Sequence, residues 1–101
     1  MEVICSKNAK EDLAYWKKTN PDILKRIQKL IATIKVHPFK GIGKPEALKF
    51  EKKGYWSRRI NQEHRLVYKV ADRVIYIAQC RYQHAVPATQ VLAENPTLQL
   101  P

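Results

Sequence analysis

An acidic residue set among basic ones is the first arrangement in this sequence that could do chemistry. Glu46 lies between Lys44 and Lys49. Cleaving RNA without a metal needs a base for the 2′-hydroxyl proton, cations that hold the phosphate, and an acid for the leaving oxygen. Glu46 is a candidate for the base. Taken alone, an acid among cations is more commonly an ionised surface counter-ion.

Other residues could supply the remaining parts. Arg65, Arg59 and Lys49 are candidates for holding the phosphate, because cations stabilise its charge and guanidinium groups bind its oxygens bidentately. The candidate acids are His84 and His64. Strand alternation puts His64 on the core side beside a turn, which favours a structural role for it.

Three consecutive strands must position these residues. The runs 55–60 and 64–70 are rich in β-branched and aromatic residues and flank the polar turn 61–63, which predicts a β-hairpin. A third run, 74–82, follows a polar corner at Asp72. The sequence therefore predicts an antiparallel meander.

Side chains alternate between the two faces of a strand, so their parity assigns them to faces. The mostly apolar set is predicted to be buried: Trp56, Ile60, Leu66, Tyr68, Val70, Val74, Tyr76 and Ala78. The opposite set is predicted to form the second face: Arg59, Asn61, Arg65, Lys69, Gln79, Arg81 and Gln83, with Val67, Ile75 and Ile77. Three arginines on one face predict either a phosphate-binding surface or a charged solvent face.

An N-terminal strand and two helices complete the predicted fold. The strand covers residues 2–5, and Ser6 is the expected N-cap of a helix that reaches about Thr19. A second helix begins at Pro21 and ends near His37. The apolar face of the meander is the partner large enough to cover both helices. The sequence predicts an α+β fold, with the N-terminal strand and a two-helix hairpin packed on one face of an antiparallel sheet.

The segment 39–50 has two glycines and a proline, and it is predicted to be a loop with three lysines, Lys40, Lys44 and Lys49. The whole chain has 101 residues and a net charge of +10. This length predicts one domain, and the charge predicts a polyanionic partner, which could be nucleic acid, an anionic membrane or an acidic protein.

Several kinds of protein are disfavoured by the sequence. It has no apolar run as long as a membrane span and no signal peptide, so we predict a cytoplasmic protein that does not enter a membrane. Its two cysteines, Cys5 and Cys80, are too few for a metal site and are predicted to be buried strand thiols without a disulfide. We predict neither a metal nor another cofactor.

Several motifs together resemble those of a known family. They are Gly41-x-Gly43-Lys44-Pro45-Glu46-x-Leu48-Lys49, Tyr55-Trp56-Ser57-Arg58-Arg59-Ile60, Glu63-His64-Arg65-Leu66-Val67-Tyr68 and Cys80-Arg81-Tyr82. Residues 1–84 resemble YoeB/Txe toxins of the RelE/ParE superfamily, which belong to type II toxin–antitoxin systems. The resemblance implies a RelE-like, microbial RNase-like fold and an mRNA endoribonuclease that acts on the 70S ribosome. It also implies a YefM-like antitoxin as partner.

The resemblance implies roles for individual residues. Glu46 would be the general base, Arg65 would stabilise the transition-state phosphate, and Lys49 and Arg59 would support it. Lys44 and Arg81 are further predicted phosphate contacts.

The predicted acid departs from the family pattern. The family ends Cys-Arg-Tyr-His-Tyr, whereas this chain has Gln83 where the family has its acid and His84 one position later. A glutamine cannot supply a proton to a leaving alkoxide. Strict alternation would turn His84 to the wrong face, but a bulge at the strand end would re-aim it. We therefore predict that His84 is the acid.

The segment 85–101 is predicted to be a C-terminal tail beyond the toxin domain 1–84. It is either a flexible appendage or a short strand or turn that docks on the domain or on a partner. Two alternatives to the ribonuclease stay open at this point. One is a catalytically weakened homologue that binds ribosome, RNA or antitoxin, and the other is a toxin of the same superfamily with another target, such as DNA gyrase. A homodimer is also left open.

Overall fold

The structure is a computed structural model that describes residues 1–82. Its elements run in the order β1 (Glu2–Cys5), α1 (Lys7–Thr19), α2 (Pro21–Val36), β2 (Glu46–Ala47), a 3₁₀ turn (Phe50–Lys52), β3 (Trp56–Arg59), β4 (Arg65–Ala71) and β5 (Val74–Gln79). Gln83, His84 and the tail 85–101 lie outside the described residues. The predictions about them therefore stay predictions.

The five strands form one sheet in the order β1-β5-β4-β3-β2. β1 runs parallel to β5, and the other neighbours are antiparallel, so the sheet is mixed. Both helices pack on one face of it, which confirms the predicted α+β fold. In the described part of the chain, neither helix is long and apolar enough to cross a membrane.

Local signals set the helix ends as predicted. The Ser6 hydroxyl accepts a hydrogen bond from the Ala9 amide at 3.0 Å and donates one to the Ala78 carbonyl at 2.6 Å, so the cap of α1 is tied to β5. Pro21 opens α2, where its missing N–H costs nothing. The helix ends at Val36, two residues before Pro38.

A hydrophobic core fills the space between the helices and the sheet. Its buried residues are Ala9, Trp16, Ile27, Leu30, Ile34, Ile60, Leu66, Tyr68, Ile75, Ile77 and Cys80. Both cysteines are free thiols, with Cys80 buried and Cys5 half-buried.

The predicted faces of β5 are wrong before Gln79. Val67 pairs with Gln79, and Tyr68 pairs with Ile77, so Ala78 is an extra residue, a β-bulge that reverses the alternation. Ile75 and Ile77 therefore lie in the core, although parity predicted them on the second face. For the same reason Val74, Tyr76 and Ala78 lie on the second face rather than in the core.

Two other boundaries differ from the prediction. The predicted loop 39–50 contains the short edge strand β2, which pairs with β3 through Glu46 and Ser57. This pairing lies outside the reach of local sequence signals, because two residues with weak strand propensity join the sheet at its edge. The strand β5 ends at Gln79, three residues before the predicted end at Tyr82.

Candidate active site

The sheet face opposite the helices, called here the open face, has a polar group at one end. The Arg65 Nη1 atom lies 3.6 Å from Glu46 Oε2 and donates a 2.7 Å hydrogen bond to the Ser57 hydroxyl. Strand pairing brings these side chains together. Glu46 on β2 is opposite Ser57 on β3. Arg59, which shares a face of β3 with Ser57, is opposite Arg65 on β4. The site is therefore built across the three neighbouring strands β2, β3 and β4.

The two charged side chains differ in their exposure. The Arg65 side chain is 15% exposed, whereas that of Glu46 is 65% exposed. A partly desolvated guanidinium interacts more strongly with an incoming anion than one in bulk water. An exposed carboxylate beside it can accept a proton from a hydroxyl group next to the bound anion. The pair is suited to proton abstraction next to a phosphate whose charge Arg65 stabilises.

Ser57 is a part of the site that the sequence analysis did not single out. It is fully buried, and the hydrogen bond from Arg65 fixes one end of the guanidinium. The Arg65 backbone is held as well, because its amide donates to the Tyr82 carbonyl at 3.0 Å. Alternation along β3 places Ser57 and Arg59 on the same face, and this was the signal available in the sequence.

Arg58 orders the basic loop that leads to Glu46. Its buried guanidinium donates to the carbonyls of His37 at 2.6 Å, Lys40 at 2.7 Å and Ile42 at 3.1 Å. Its Nε donates to the Tyr68 hydroxyl at 3.1 Å. Four hydrogen bonds satisfy a buried charge that would otherwise be costly. Sequence alone did not reveal this role, because the partners are backbone atoms of a distant loop.

The loop also places Lys44 near Arg59. The Arg59 amide donates to the Gly43 carbonyl at 2.6 Å, and Lys44 follows with a φ of 50°. Gly43 has a φ of 84°, and a Cβ there would lie 2.9 Å from Leu30 Cδ2, so this close approach requires glycine. Lys44 and Arg59 are both exposed.

Lys49 is exposed two residues after the end of β2, just before the 3₁₀ turn. The structure thus brings Glu46, Ser57 and Arg65 into contact. Arg59 is opposite Arg65 in the strand pairing, and Lys44, Arg59 and Lys49 are all exposed.

Arg81 is not on the open face as predicted. Its guanidinium carbon lies 3.6 Å from the ring centre of Tyr15 on α1 and 4.8 Å from that of Tyr82. The strand ends at Gln79, so strict alternation no longer applies to Arg81. To contact a phosphate as predicted, Arg81 would have to bind it from this position beside α1.

His64 has the structural surroundings that its parity predicted. Its ring packs edge-on against Trp16 at 4.7 Å, and its Nδ1 accepts a 2.6 Å hydrogen bond from the Tyr82 amide. Burial lowers the pKa of His64, with Arg81 adding to that effect and Glu63 opposing it. The imidazole therefore stays neutral near pH 7, and it holds the chain after β5 instead of joining the polar group.

Helix α1 holds the same part of the chain from the other side. Asp12 accepts a 3.0 Å hydrogen bond from the Cys80 amide, and Trp16 Nε1 donates a 2.8 Å one to the Cys80 carbonyl. Burial raises the pKa of Asp12, and the bond to Cys80 opposes that rise. These contacts fix the direction in which the chain leaves the sheet towards Tyr82.

Comparisons with known proteins agree with this fold. A family model described as "YoeB-like toxin of bacterial type II toxin-antitoxin system" matches residues 5–84. Toxin YoeB of Escherichia coli (strain K12) is 48% identical over 84 residues, which cover 83% of this chain and 100% of that protein.

Two solved structures from Staphylococcus aureus also resemble the chain. A YoeB-YefM complex matches at a TM-score of 0.78 and 45% identity, over 83% of this chain and 98% of the other. A YoeB dimer matches at a TM-score of 0.79 and 44% identity, with the same coverage of 83% and 98%. With a family model that spans residues 5–84 and relatives of this similarity, the chain belongs to the YoeB family of toxins of bacterial type II toxin–antitoxin systems.

Proposed function

We propose that this toxin cleaves messenger RNA on the translating ribosome by attack of a 2′-hydroxyl on the adjacent phosphate. The observation that carries the proposal is the 3.6 Å contact between Glu46 and Arg65 on the open face. It joins a base to a phosphate-binding cation, which are two of the three parts that this reaction needs.

Each residue of the polar group has a part in this reaction. Glu46 takes the proton from the 2′-oxygen, which then bonds to phosphorus. Arg65 stabilises the negative charge that builds on the phosphate oxygens in the transition state. Arg59, Lys44 and Lys49 hold neighbouring phosphates and keep the RNA aligned.

His84 protonates the 5′-oxygen as it leaves. This part of the proposal rests on where the chain is held, because the Tyr82 carbonyl accepts a hydrogen bond from the Arg65 amide at 3.0 Å. Two residues of chain span at most ~7 Å, so the backbone of His84 starts within that distance of Tyr82. The short connection to Tyr82, whose carbonyl is bonded to the Arg65 backbone, supports the proposal that His84 is the acid.

A second candidate function is a weakened enzyme that binds the ribosome or the antitoxin with little cleavage. Gln83 favours it, because this residue occupies the position of the family's acid and an amide cannot supply the proton. The polar group would then bind RNA phosphate without completing the reaction.

The partners follow from the relatives and the charge. Since a Staphylococcus aureus relative was solved as a YoeB-YefM complex, we infer a YefM-like antitoxin for this chain as well. A dimer of a relative supports self-association as a further state. The net charge of +10 supports binding to ribosomal RNA, because Lys and Arg release counterions from phosphates.

Primer extension on messenger from translating ribosomes tests the proposal. Arg65→Ala should lower cleavage by a factor of about a hundred or more, as is usual for loss of one group that stabilises transition-state charge. Glu46→Gln should also slow it, although ribosomal groups can share in aligning the 2′-hydroxyl. Arg26→Ala, which removes the same charge from α2, is the matched control and should leave the rate unchanged. Equal cleavage by all these variants would refute the assignment.

A further inference from the structure

The segment 49–54, which joins β2 to β3, has an unusual distribution of side chains. The Leu48 amide donates to the Tyr55 carbonyl at 2.9 Å and closes the segment at its base. Phe50 is 81% exposed, more than any other large apolar side chain among residues 1–82. Lys52, two residues later, is 1% exposed. The segment therefore keeps a lysine inside the fold and presents a phenylalanine to solvent, which reverses the usual arrangement.

The backbone of this segment is strained at the exposed ring. Phe50 has a φ of 59°, in the left-handed region that a bulky side chain rarely adopts. The ring gains no hydrophobic stabilisation from this conformation, because it stays in water. Strained residues of this kind are concentrated at functional sites, where the surrounding structure maintains them. An exposed ring on a strained backbone indicates a role in binding rather than in packing.

Cations flank the ring along the chain. Lys49 and Lys53 are both exposed, and the acid between them, Glu51, leaves the exposed charge of the segment positive. Cations that attract phosphates, together with an aromatic ring on which a base stacks, are the usual means of binding single-stranded nucleic acid. The apolar residues at the base of the segment, Leu48 and Tyr55, are buried. A single ring between lysines suits the flat face of a base better than the apolar side of a protein segment.

The ring is close to the polar group along the chain. Phe50 follows Glu46 by four residues, so the Cα atoms of the two residues are at most ~14 Å apart. Lys49, which we propose as a phosphate contact, directly precedes the ring. A short stretch of RNA with one phosphate at Arg65 is therefore able to reach both the lysine and the ring.

We propose that Phe50 is a stacking platform for an unpaired nucleobase of the RNA that this toxin binds, with Lys49 and Lys53 on the phosphates to either side. The inference rests on the proposed ribonuclease function and adds to that site a contact with a base. Every base has a π face, so stacking on Phe50 positions the RNA without selecting a sequence. The base belongs to messenger or to ribosomal RNA, and the experiment distinguishes these two sources.

Ribosome binding by variants of the ring tests the stacking. Phe50→Ala should weaken binding by about 5- to 150-fold, the usual effect of removing one stacked ring. Phe50→Leu stays apolar without a π face and should weaken it similarly, whereas Phe50→Tyr should bind like the parent. Phe50→Gly suits the positive φ, so a loss of binding there would not come from strain. Val36→Ala removes another exposed apolar side chain, on α2, and is the matched control.

The outcome of this comparison also identifies the source of the base. Weakening of Phe50→Ala on vacant ribosomes as well as on ribosomes that carry messenger would assign the base to ribosomal RNA. Weakening only on ribosomes that carry messenger would assign it to the messenger. Binding of Phe50→Ala like that of the parent on both would overturn the proposal. So would a variant that binds ribosomes normally but loses affinity for a YefM-like antitoxin, because the ring would then serve the antitoxin.

Fluorescence gives a test that does not depend on cleavage. Phe50→Trp keeps an aromatic ring and adds a fluorophore that a stacked base quenches. A short single-stranded oligoribonucleotide should quench this variant more strongly than the parent, in which Trp16 and Trp56 supply the background. Equal quenching of the two proteins would overturn the proposal.

The fluorescence result and the cleavage result distinguish this inference from the proposed function. Quenching of Phe50→Trp together with a complete lack of cleavage by the parent would keep the stacking and refute the ribonuclease. Cleavage that depends on Arg65, together with no added quenching of Phe50→Trp, would keep the ribonuclease and refute the stacking.

Discussion

Arg65 donates a 2.7 Å hydrogen bond to the buried hydroxyl of Ser57, from the same Nη1 atom that lies 3.6 Å from Glu46. One nitrogen of the guanidinium is thus anchored inside the sheet, while the carboxylate beside it is open to solvent. The anchor limits the rotamers of a long side chain, so the remaining donors are oriented before RNA arrives. Such preorganisation reduces the conformational entropy that is lost when RNA binding orders the site.

Removing this anchor should slow cleavage without loss of the fold. In Ser57→Ala the guanidinium loses its acceptor, and misplacement of a catalytic group by ~1 Å can cost up to ~100-fold in rate. We expect a decrease of about 10- to 100-fold in single-turnover cleavage on ribosomes, with ribosome binding unchanged. Ser57→Thr keeps the hydroxyl and should retain more of the rate than the alanine variant. A Ser57→Ala enzyme as fast as the parent would mean that Arg65 needs no anchor.

The buried lysine in the turn after β2 should destabilise the fold. Lys52 is 1% exposed, and its Nζ has no hydrogen-bond partner within the described residues. Burial lowers the pKa of Lys52 from its ordinary 10.5. Leaving a buried polar group unsatisfied costs about 1–3 kcal/mol, and a charged group costs more. Lys52→Met keeps the length of the side chain without the charge, so it should raise the free energy of unfolding at pH 7 by at least about 1 kcal/mol.

The free energy of unfolding gained by Lys52→Met should become smaller as pH rises. Below the folded-state pKa of Lys52, both folded and unfolded chains carry the proton, and the folded protein bears the full cost of the buried charge. As pH rises through that pKa towards 10.5, the folded protein loses the proton first and the cost decreases. Urea unfolding should therefore show a larger advantage for Lys52→Met at pH 7 than at pH 10. The exposed neighbour gives the control, Lys53→Met, which should show no such pH-dependent gain.

Periodicity in the sequence was enough to predict the helices, the hairpin of β3 and β4, and the placement of Arg59 and Arg65 on one face. It failed where structure depends on a distant partner. The bulge at Ala78 arises from pairing with β4, and it reversed the faces of the residues before it. Arg81 left the predicted face because the strand ends early at Gln79.

In the candidate site, too, alternation could be predicted from the sequence, whereas contacts with distant partners could not. The side chain of Arg65 could be placed by alternation, but its anchor on Ser57 depends on the register of β3 with β4. Glu46 belongs to a two-residue edge strand whose formation rests on the hydrogen bonds of β3. Alternation puts Arg58 on the core side with Trp56 and Ile60, but only the carbonyls of the folded loop explain how its charge is satisfied there.

The general acid is the sharpest question that the sequence raises, and two substitutions decide it. Gln83 has no proton to give, so cleavage depends on whether His84 reaches the leaving oxygen. His64 and Arg81 cannot take over from the positions they occupy, because His64 holds the Tyr82 amide and Arg81 stacks on Tyr15. On the present proposal His84→Gln should reduce cleavage by about 10²- to 10⁴-fold, the usual contribution of a positioned acid.

The reciprocal substitution distinguishes the alternative. Gln83→His restores the family's residue, and in a chain whose acid is His84 it should change the rate little. In a weakened enzyme it should raise the rate sharply, because it supplies a proton donor that the site lacks. Single-turnover cleavage at several pH values adds a second readout. A rate that falls as pH rises through the pKa of a histidine, and that loses this dependence in His84→Gln, would identify His84 as the acid. An unchanged rate in His84→Gln, together with a large gain in Gln83→His, would assign this chain to the weakened toxins that bind more than they cut.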